Sequence, residues 1–410
     1  MNLHLQKSKV ANKKTSIKIT GSKSESNRLL LLQALFPILQ IENVSNSDDS
    51  QLMTKALAST SNVIDIHHAG TAMRFLTAFF ATQSGRSIEL TGSKRMKERP
   101  IKILVEALNQ LGAKISYKEN EGYPPLIIEG QKLTKSKVNL KANVSSQYIS
   151  ALLLIAPTLE NGIELHLEGK ITSVPYIKMT LSLLNQIGVE TDFNNNIVIV
   201  KPLKKISKEK IELVVESDWS SASYYYSIIA LCDLGTEIEL TSYKENSLQG
   251  DSSLAEFYKM FGVDTQFSNN TILLKKTKLV SSETIINFDL ANSPDIAQTI
   301  SVTAFALGLE SNLTGLHTLK IKETDRLEAL KAEIEKLGGN VKITNDSLHL
   351  STSNGIKNNI TIVTYNDHRM AMAFAPLALR VPVIIEDSGV VSKSYPTFWE
   401  DLKILGYKFN

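Results

Sequence analysis

Six stretches of this chain share one plan that few folds can accommodate: a short polar patch suited to capping a helix runs directly into an almost wholly apolar segment. They are GSKSESNRLLLLQALF from Gly21, GTAMRFLTAFFAT from Gly70, SSQYISALLLIAPTL from Ser145, SDWSSASYYYSIIALC from Ser217, NSPDIAQTISVTAFAL from Asn292 and NDHRMAMAFAPLAL from Asn366. A helix that is apolar all round leaves no face for water, so each is expected inside a folded body. With Lys23, Thr71, Ser146, Ser220, Asp295 and Asp367 as markers, the first interval is 48 residues and the later ones run from 72 to 75. Such a period means one supersecondary unit used repeatedly, each copy covering the apolar faces of its neighbours.

A second pattern alternates with the first: an amphipathic helix, a glycine, then two short alternating strands. It occurs as IKILVEALNQLGAKISYKENEGYPPLIIEG, IKMTLSLLNQIGVETDFNNNIVIV, SLAEFYKMFGVDTQFSNNTILL and RLEALKAEIEKLGGNVKITNDSLHL, with a truncated FWEDLKILGYKF at the end. The glycine supplies a left-handed C-terminal cap, and Asn or Asp turns join the strands. In the first unit, SDDSQLMTKALASTSNVIDIHHAG has the helix but little room for the strand pair, so that copy reads as shortened. Two groups of three units fit the two domains expected of 410 residues. The polar helix starts cannot face the core as well. They are expected to open onto a cavity or cleft, where free N–H groups and the helix dipole favour anions.

Composition removes several other classes. Lys+Arg 45 against Asp+Glu 42 leaves a net charge of +3, too small for a global nucleic-acid field, so anion binding has to come from local clusters. The single cysteine, Cys232, excludes a disulfide framework and a cysteine-based zinc site, and the seven histidines have no metal-ligand spacing. No cofactor is expected. MNLHLQKSKVANKK lacks the apolar core of a signal peptide, and no apolar run is long enough to span a membrane. The expectation is a cytoplasmic monomer acting on small molecules, without nucleic acid or membrane partners.

The motifs GSKSESNR, GTAMRFL, RMKERP, SSQ, KETDRL and NDHRMAM, in this order and spacing, resemble those of the enolpyruvyl transferase family, over about Lys14 to Lys403. Within it they are similar to the branch that joins phosphoenolpyruvate to shikimate 3-phosphate on the way to chorismate and the aromatic amino acids. The resemblance implies an α/β fold of two domains, each of three βαβαββ-type repeats around buried helices, closing on substrate like a clamp. It implies an N-terminal domain of residues 20–216 and a C-terminal domain of 1–19 plus 217–410, with the second crossover near Val215 to Asp218. The implied chemistry is addition then elimination: the 5-hydroxyl attacks C2 of phosphoenolpyruvate, the methylene is protonated, and the tetrahedral intermediate loses phosphate. Such a reaction needs proton donors and acceptors and converging cations, but no metal.

The resemblance also assigns residues. Shikimate 3-phosphate would be held by Lys23, Ser24, Arg28, Ser145, Ser146, Gln147, Ser173, Tyr176, Asp295 and Lys322. Phosphoenolpyruvate would be held by Lys23, Gly70, Thr71, Arg99, Gln147, Arg326, Arg369 and Lys393, with Arg74 in support. Asp295 would take the 5-hydroxyl proton, Glu323 would be the proton shuttle at the methylene, and Lys23 would lie at the reacting oxygens. Asp367 and His368 read as positional. Spacing alone would make SSQ an ordinary N-cap and KETDR a solvated helical turn with Glu323 and Arg326 on one face.

The segment HHAGTAMRF departs from the family pattern. His68 stands where asparagine is common and Phe75 where proline is common, so Phe75 could alter the start of its helix. Both bear on sensitivity to glyphosate, the family's phosphoenolpyruvate-mimicking inhibitor. Two other readings compete. A UDP-N-acetylglucosamine enolpyruvyl transferase is expected to carry a loop cysteine or aspartate and to lack KETDR, whereas Cys232 lies in an apolar helix. A non-catalytic phosphosugar-binding homologue is expected to have lost one of Lys23, Asp295, Glu323, Arg326 or Lys393, and all five are present.

Overall fold

The computed structural model describes residues 1–11, 14–141, 145–169, 171, 174–204 and 209–410. The chain forms two compact units, one of Gly21–Val215 and one of Met1–Thr20 with Glu216–Asn410.

The six polar-to-apolar stretches form six inner helices. In the Gly21–Val215 unit, α1 (Lys23–Leu35), α2 (Gly70–Ala81) and α3 (Ser146–Ile155) pack on one another. In the other unit, α4 (Trp219–Leu231), α5 (Ala297–Ala306) and α6 (His368–Phe374) do the same. All residues of α2, α4, α5 and α6 are buried, as the absence of a polar face requires. The polar starts act as caps: Ser22, Ser145, Asp218 and Asp367 each accept a first-turn N–H. Helices α2 and α5 differ, since their N-caps Ala69 and Ile296 supply no side-chain acceptor.

Around the helices lie sheets of one topology. Val63–Asp65, α2, Ser87–Thr91, the outer helix Lys102–Gln110, Lys114–Tyr117 and Leu126–Glu129 make one complete βαβαββ unit. Its first two strands are parallel and the returning hairpin adds antiparallel beside the second. Three more four-stranded sheets repeat this order, built on Lys137–Lys141 with Ile163–Glu168, Thr15–Ile17 with Glu237–Thr241, and Ile285–Asp289 with Glu310–Thr314. The expected glycines end the outer helices at positive φ, at Gly112, Gly188, Gly262, Gly338 and Gly406, and Asn195, Asn269 and Asn270 turn two of the hairpins in the same region.

The first and last repeats are completed from elsewhere in the chain. In the first, Leu39–Glu42 pairs in parallel with Ile211–Val214 in a two-stranded sheet, and the helix Asp48–Ala58 has no hairpin after it, as the short sequence predicts. In the last, Ile360–Ile362 and Val383–Ile385 are joined by Leu3–Leu5 and then by a bridge to Phe409, so the N-terminus fills a hairpin position. Among the described residues no helix is long and apolar enough to cross a membrane.

Three local expectations are corrected. Lys322, Glu323 and Arg326 do not share a helical turn: the helix is Arg326–Lys336, and Asp325 is its N-cap, accepting from the N–H groups of Leu327 and Glu328. An aspartate that can cap starts the helix, leaving Lys322 extended beyond it. Cys232 lies at the end of α4 as its C-cap and not within it. Phe75 leaves the start of α2 at Gly70 and is itself fully buried, because its ring fills core space that needs no fixed φ.

Candidate active site

In the Gly21–Val215 unit the first group surrounds the start of α1. Arg28, one turn in, is 2% exposed. Its Nε donates to Thr180 Oγ1 at 2.8 Å, and its terminal nitrogens donate to Ser150 Oγ at 2.8 Å, Ser24 O at 2.7 Å and Tyr176 O at 3.4 Å. The guanidinium lies 5.4 Å from the Phe75 ring centre and 5.8 Å from that of Tyr176. These partners are neutral. Burial therefore lowers the Arg28 pKa to about 10, against smaller support from Tyr176 and Glu25. A buried cation held by neutral oxygens is stabilised when an anion arrives. Lys23 Nζ stands 3.6 Å from Asp49 Oδ2, and His68 Nε2 is 3.6 Å from the other oxygen of Asp49.

The second group is at the start of α2. A Cβ on Gly70 would meet the Arg99 guanidinium at 2.5 Å, so glycine is what lets that cation lie over the helix start. Arg99 Nε is buried and has no hydrogen-bond partner among the described residues. Gln147, in the first turn of α3, donates to Thr71 Oγ1 at 3.2 Å and ties the two helix starts together. Arg74 donates to Gly70 O at 3.2 Å and to Pro100 O at 3.0 Å, while Tyr148 OH donates to the same carbonyl at 2.6 Å. These bonds fix the RMKERP loop against α2. Ser145 caps α3 and Ser146 is buried beside it. Ser173 lies outside the described residues.

The other unit holds a network of charges around Arg326, itself 1% exposed. Its NH1 donates to Asp295 Oδ1 at 2.8 Å, its NH2 to Glu323 Oε2 at 2.8 Å and its Nε to Asp367 Oδ2 at 2.7 Å. Lys322 Nζ is 3.2 Å from Asp295 Oδ1, and Arg369 NH2 is 3.5 Å from Asp295 Oδ2. Burial pushes the Asp295 carboxyl up, but Lys322, Arg369 and Arg326 outweigh it and hold it well below the usual carboxylate range. Burial disfavours the charges of Arg326 and Arg369, yet the surrounding carboxylates raise both above the ordinary arginine value. Lys393 Nζ donates at 2.6 Å to both oxygens of Asn366, beside the α6 cap.

The structure thus gathers Lys23, Ser24, Arg28 and Tyr176, then Gly70, Thr71, Arg99 and Gln147, and then Asp295, Lys322, Glu323, Arg326 and Arg369. Sequence reasoning missed Asp49, Ser150 and Thr180. Ser150 follows Ser146 by four residues in an otherwise apolar helix, and Thr180 follows Tyr176 by four, a spacing that places each pair on one face. Among the described residues no group of three or more His, Cys, Asp or Glu is placed to hold a metal ion.

Comparison with known proteins agrees with this architecture. A solved EPSP synthase from Acinetobacter baumannii superposes with a TM-score of 0.79 at 19% identity, covering 100% of this chain and 99% of that one. The fold is that of the two-domain enolpyruvyl transferases. A family model described as EPSP synthase (3-phosphoshikimate 1-carboxyvinyltransferase) matches residues 57–402, and the chain belongs to that family. A 3-phosphoshikimate 1-carboxyvinyltransferase of Bacteroides fragilis (strain YCH46) is 47% identical over 399 residues, 96% of each chain. One of Vibrio campbellii is 35% identical over 417 residues, 95% of this chain and 96% of the other. These matches favour neither the UDP-N-acetylglucosamine enzyme nor a non-catalytic homologue.

Proposed function

We propose that the protein transfers the enolpyruvyl group of phosphoenolpyruvate to the 5-hydroxyl of shikimate 3-phosphate and releases phosphate. It is a transferase of the shikimate pathway. The observation that carries the reading is Asp295, an ionised carboxylate shared at 2.8 Å and 3.2 Å between Arg326 and Lys322, with Glu323 on the same guanidinium.

The roles follow from charge. While three cations hold Asp295 so firmly ionised, it is a weak base. Substrate phosphate and carboxylate groups binding Lys322, Arg326 and Arg369 take up that positive charge and raise the basicity of Asp295 toward what deprotonation of the 5-hydroxyl needs. Glu323, hydrogen-bonded to Arg326, is the proton shuttle at the methylene carbon. Lys23 serves the reacting oxygens and the departing phosphate, Lys393 adds a cation on the phosphoenolpyruvate side, and Arg326 and Arg369 take the phosphoenolpyruvate anion.

In the Gly21–Val215 unit, Arg28 with Ser24, Ser145, Ser146, Ser173 and Tyr176 takes shikimate 3-phosphate. Among the described residues the hydrogen bonds of Arg28 all go to uncharged oxygens, which supports this. Gly70, Thr71, Gln147 and Arg99 take the phosphate of phosphoenolpyruvate, supported by the uncapped start of α2 and the unpartnered Arg99 Nε. We further propose that the protein works as a cytoplasmic monomer.

The test is phosphate release by purified protein given phosphoenolpyruvate with and without shikimate 3-phosphate. Release should require both, and Glu323→Gln should lower kcat by about 10²- to 10⁴-fold, the range for removal of a proton-transfer group. Release from phosphoenolpyruvate alone, or none at all, would overturn the assignment.

A further inference from the structure

Behind Arg369 lies a second carboxylate that the reaction above does not use. Asp251 sits in the short turn Gly250–Ser253 and is 3% exposed. Ser220, in the first turn of α4, donates its hydroxyl to Asp251 Oδ2 in a short hydrogen bond. The same hydroxyl oxygen accepts from Arg369 NH2 at 3.2 Å. The other oxygen of Asp251 is buried with no hydrogen-bond partner among the described residues, and so is Arg369 Nε. Arg369 is thereby held on one side by Ser220 and on the other by Asp295, whose backbone carbonyl accepts from NH1 at 3.2 Å.

We propose that Asp251 is a positioning residue that acts through Ser220 on Arg369 and sets how strongly Arg369 takes the anionic phosphoenolpyruvate side. This rests on the functional reading above. An ionised Asp251 accepts a hydrogen bond from the Ser220 hydroxyl, turns the hydroxyl lone pairs toward Arg369 and adds a negative charge behind the guanidinium. A neutral Asp251 removes that charge and leaves more of the positive field of Arg369 for substrate.

The charged groups facing Asp251 are Asp295, Arg369 and Asp218. Burial, then Asp295, pushes the Asp251 carboxyl up to about 7, against the pull of Arg369 and Ser220. Asp251 is therefore neutral below that value and ionised above it, and affinity for phosphoenolpyruvate should fall as pH rises through it. By reciprocity, binding the anion should draw a proton onto Asp251.

The experiment is the pH dependence of KM for phosphoenolpyruvate, at saturating shikimate 3-phosphate, in the wild type, Asp251→Asn and Ser220→Ala. Ionisation of the substrate itself is common to all three. Between about pH 6 and about pH 8 the wild-type KM should rise about fivefold more than that of Asp251→Asn. Ser220→Ala should raise KM for phosphoenolpyruvate about tenfold, with a smaller change in kcat and little in KM for shikimate 3-phosphate. Superimposable pH profiles in wild type and Asp251→Asn would overturn the inference. Should Asp251→Asn not fold, a Ser220→Ala protein that loses kcat and both affinities together would overturn it equally. A wild type without turnover would instead overturn the functional reading, and the role of Arg369 with it.

Discussion

At Gly70 a single missing methyl group decides where a cation lies. Alanine there would place its Cβ 2.5 Å from Arg99 NH1 and 3.0 Å from Cζ, and the movable end of Arg99, not the backbone, would give way. Gly70→Ala should thus fold with a stability within about 1 kcal/mol of wild type, since alanine is the better helix former. Its KM for phosphoenolpyruvate should rise about tenfold because Arg99 is displaced from the start of α2. Thermal melting read beside steady-state kinetics checks both halves, and an unchanged KM would separate Arg99 from substrate. Arg28 makes a complementary case. Its fork is matched to four oxygens, so Arg28→Lys keeps the charge but loses the fork, and KM for shikimate 3-phosphate should rise about 10²-fold. The motifs single out Lys23, Arg28, Asp295, Glu323 and Arg326 as candidates. The partners that orient the arginines were not legible there: Thr180, Ser150 and Asp251 are brought to their arginines by packing between elements 152, 122 and 118 residues away.

A side chain that can satisfy a helix's first N–H groups fixes where that helix starts, and this governs the Arg326 network. Asp325 caps Arg326–Lys336 through bonds of 3.1 Å and 3.2 Å, so the helix cannot extend back to Glu323. Glu323 instead reaches Arg326 from the preceding turn. Asp325→Ala should cost about 1 kcal/mol of stability. Urea unfolding measures that cost, and kinetics should show a loss of kcat as well, because the cap also sets where Glu323 stands. A variant destabilised by that amount with unchanged kcat would show the turn to be positioned independently of the cap. Inner helices, outer helices and glycine caps were readable because burial periodicity and left-handed conformations leave residue-level marks. The boundary at Arg326 was not, because KETDRL satisfies helical spacing whether or not Asp325 caps it.

Across the whole chain the two units are unequal in what they borrow. Gly21–Val215 contains every strand of its own sheets, including Ile211–Val214, which completes the shortened first repeat. Glu216–Asn410 does not: Leu3–Leu5 pairs with Val383–Ile385, and Thr15–Ile17 pairs with Glu237–Thr241. Those N-terminal residues also bring Leu3, Leu5, Val10, Ile17 and Ile19 into the core of that unit. At about 1.5–3 kcal/mol for each buried side chain, their removal takes away an amount comparable to the whole stability of a typical domain, about 5–15 kcal/mol. Expressed alone, residues 21–215 should therefore unfold cooperatively in urea, while residues 216–410 should not. A peptide of residues 1–20 added to the second fragment should restore a cooperative transition at saturating concentration, because it returns a missing strand to each of two sheets. A fragment of 216–410 that folds as well without the peptide would mean that the inner helices α4, α5 and α6 suffice to hold the unit together, and that the N-terminal strands only decorate it.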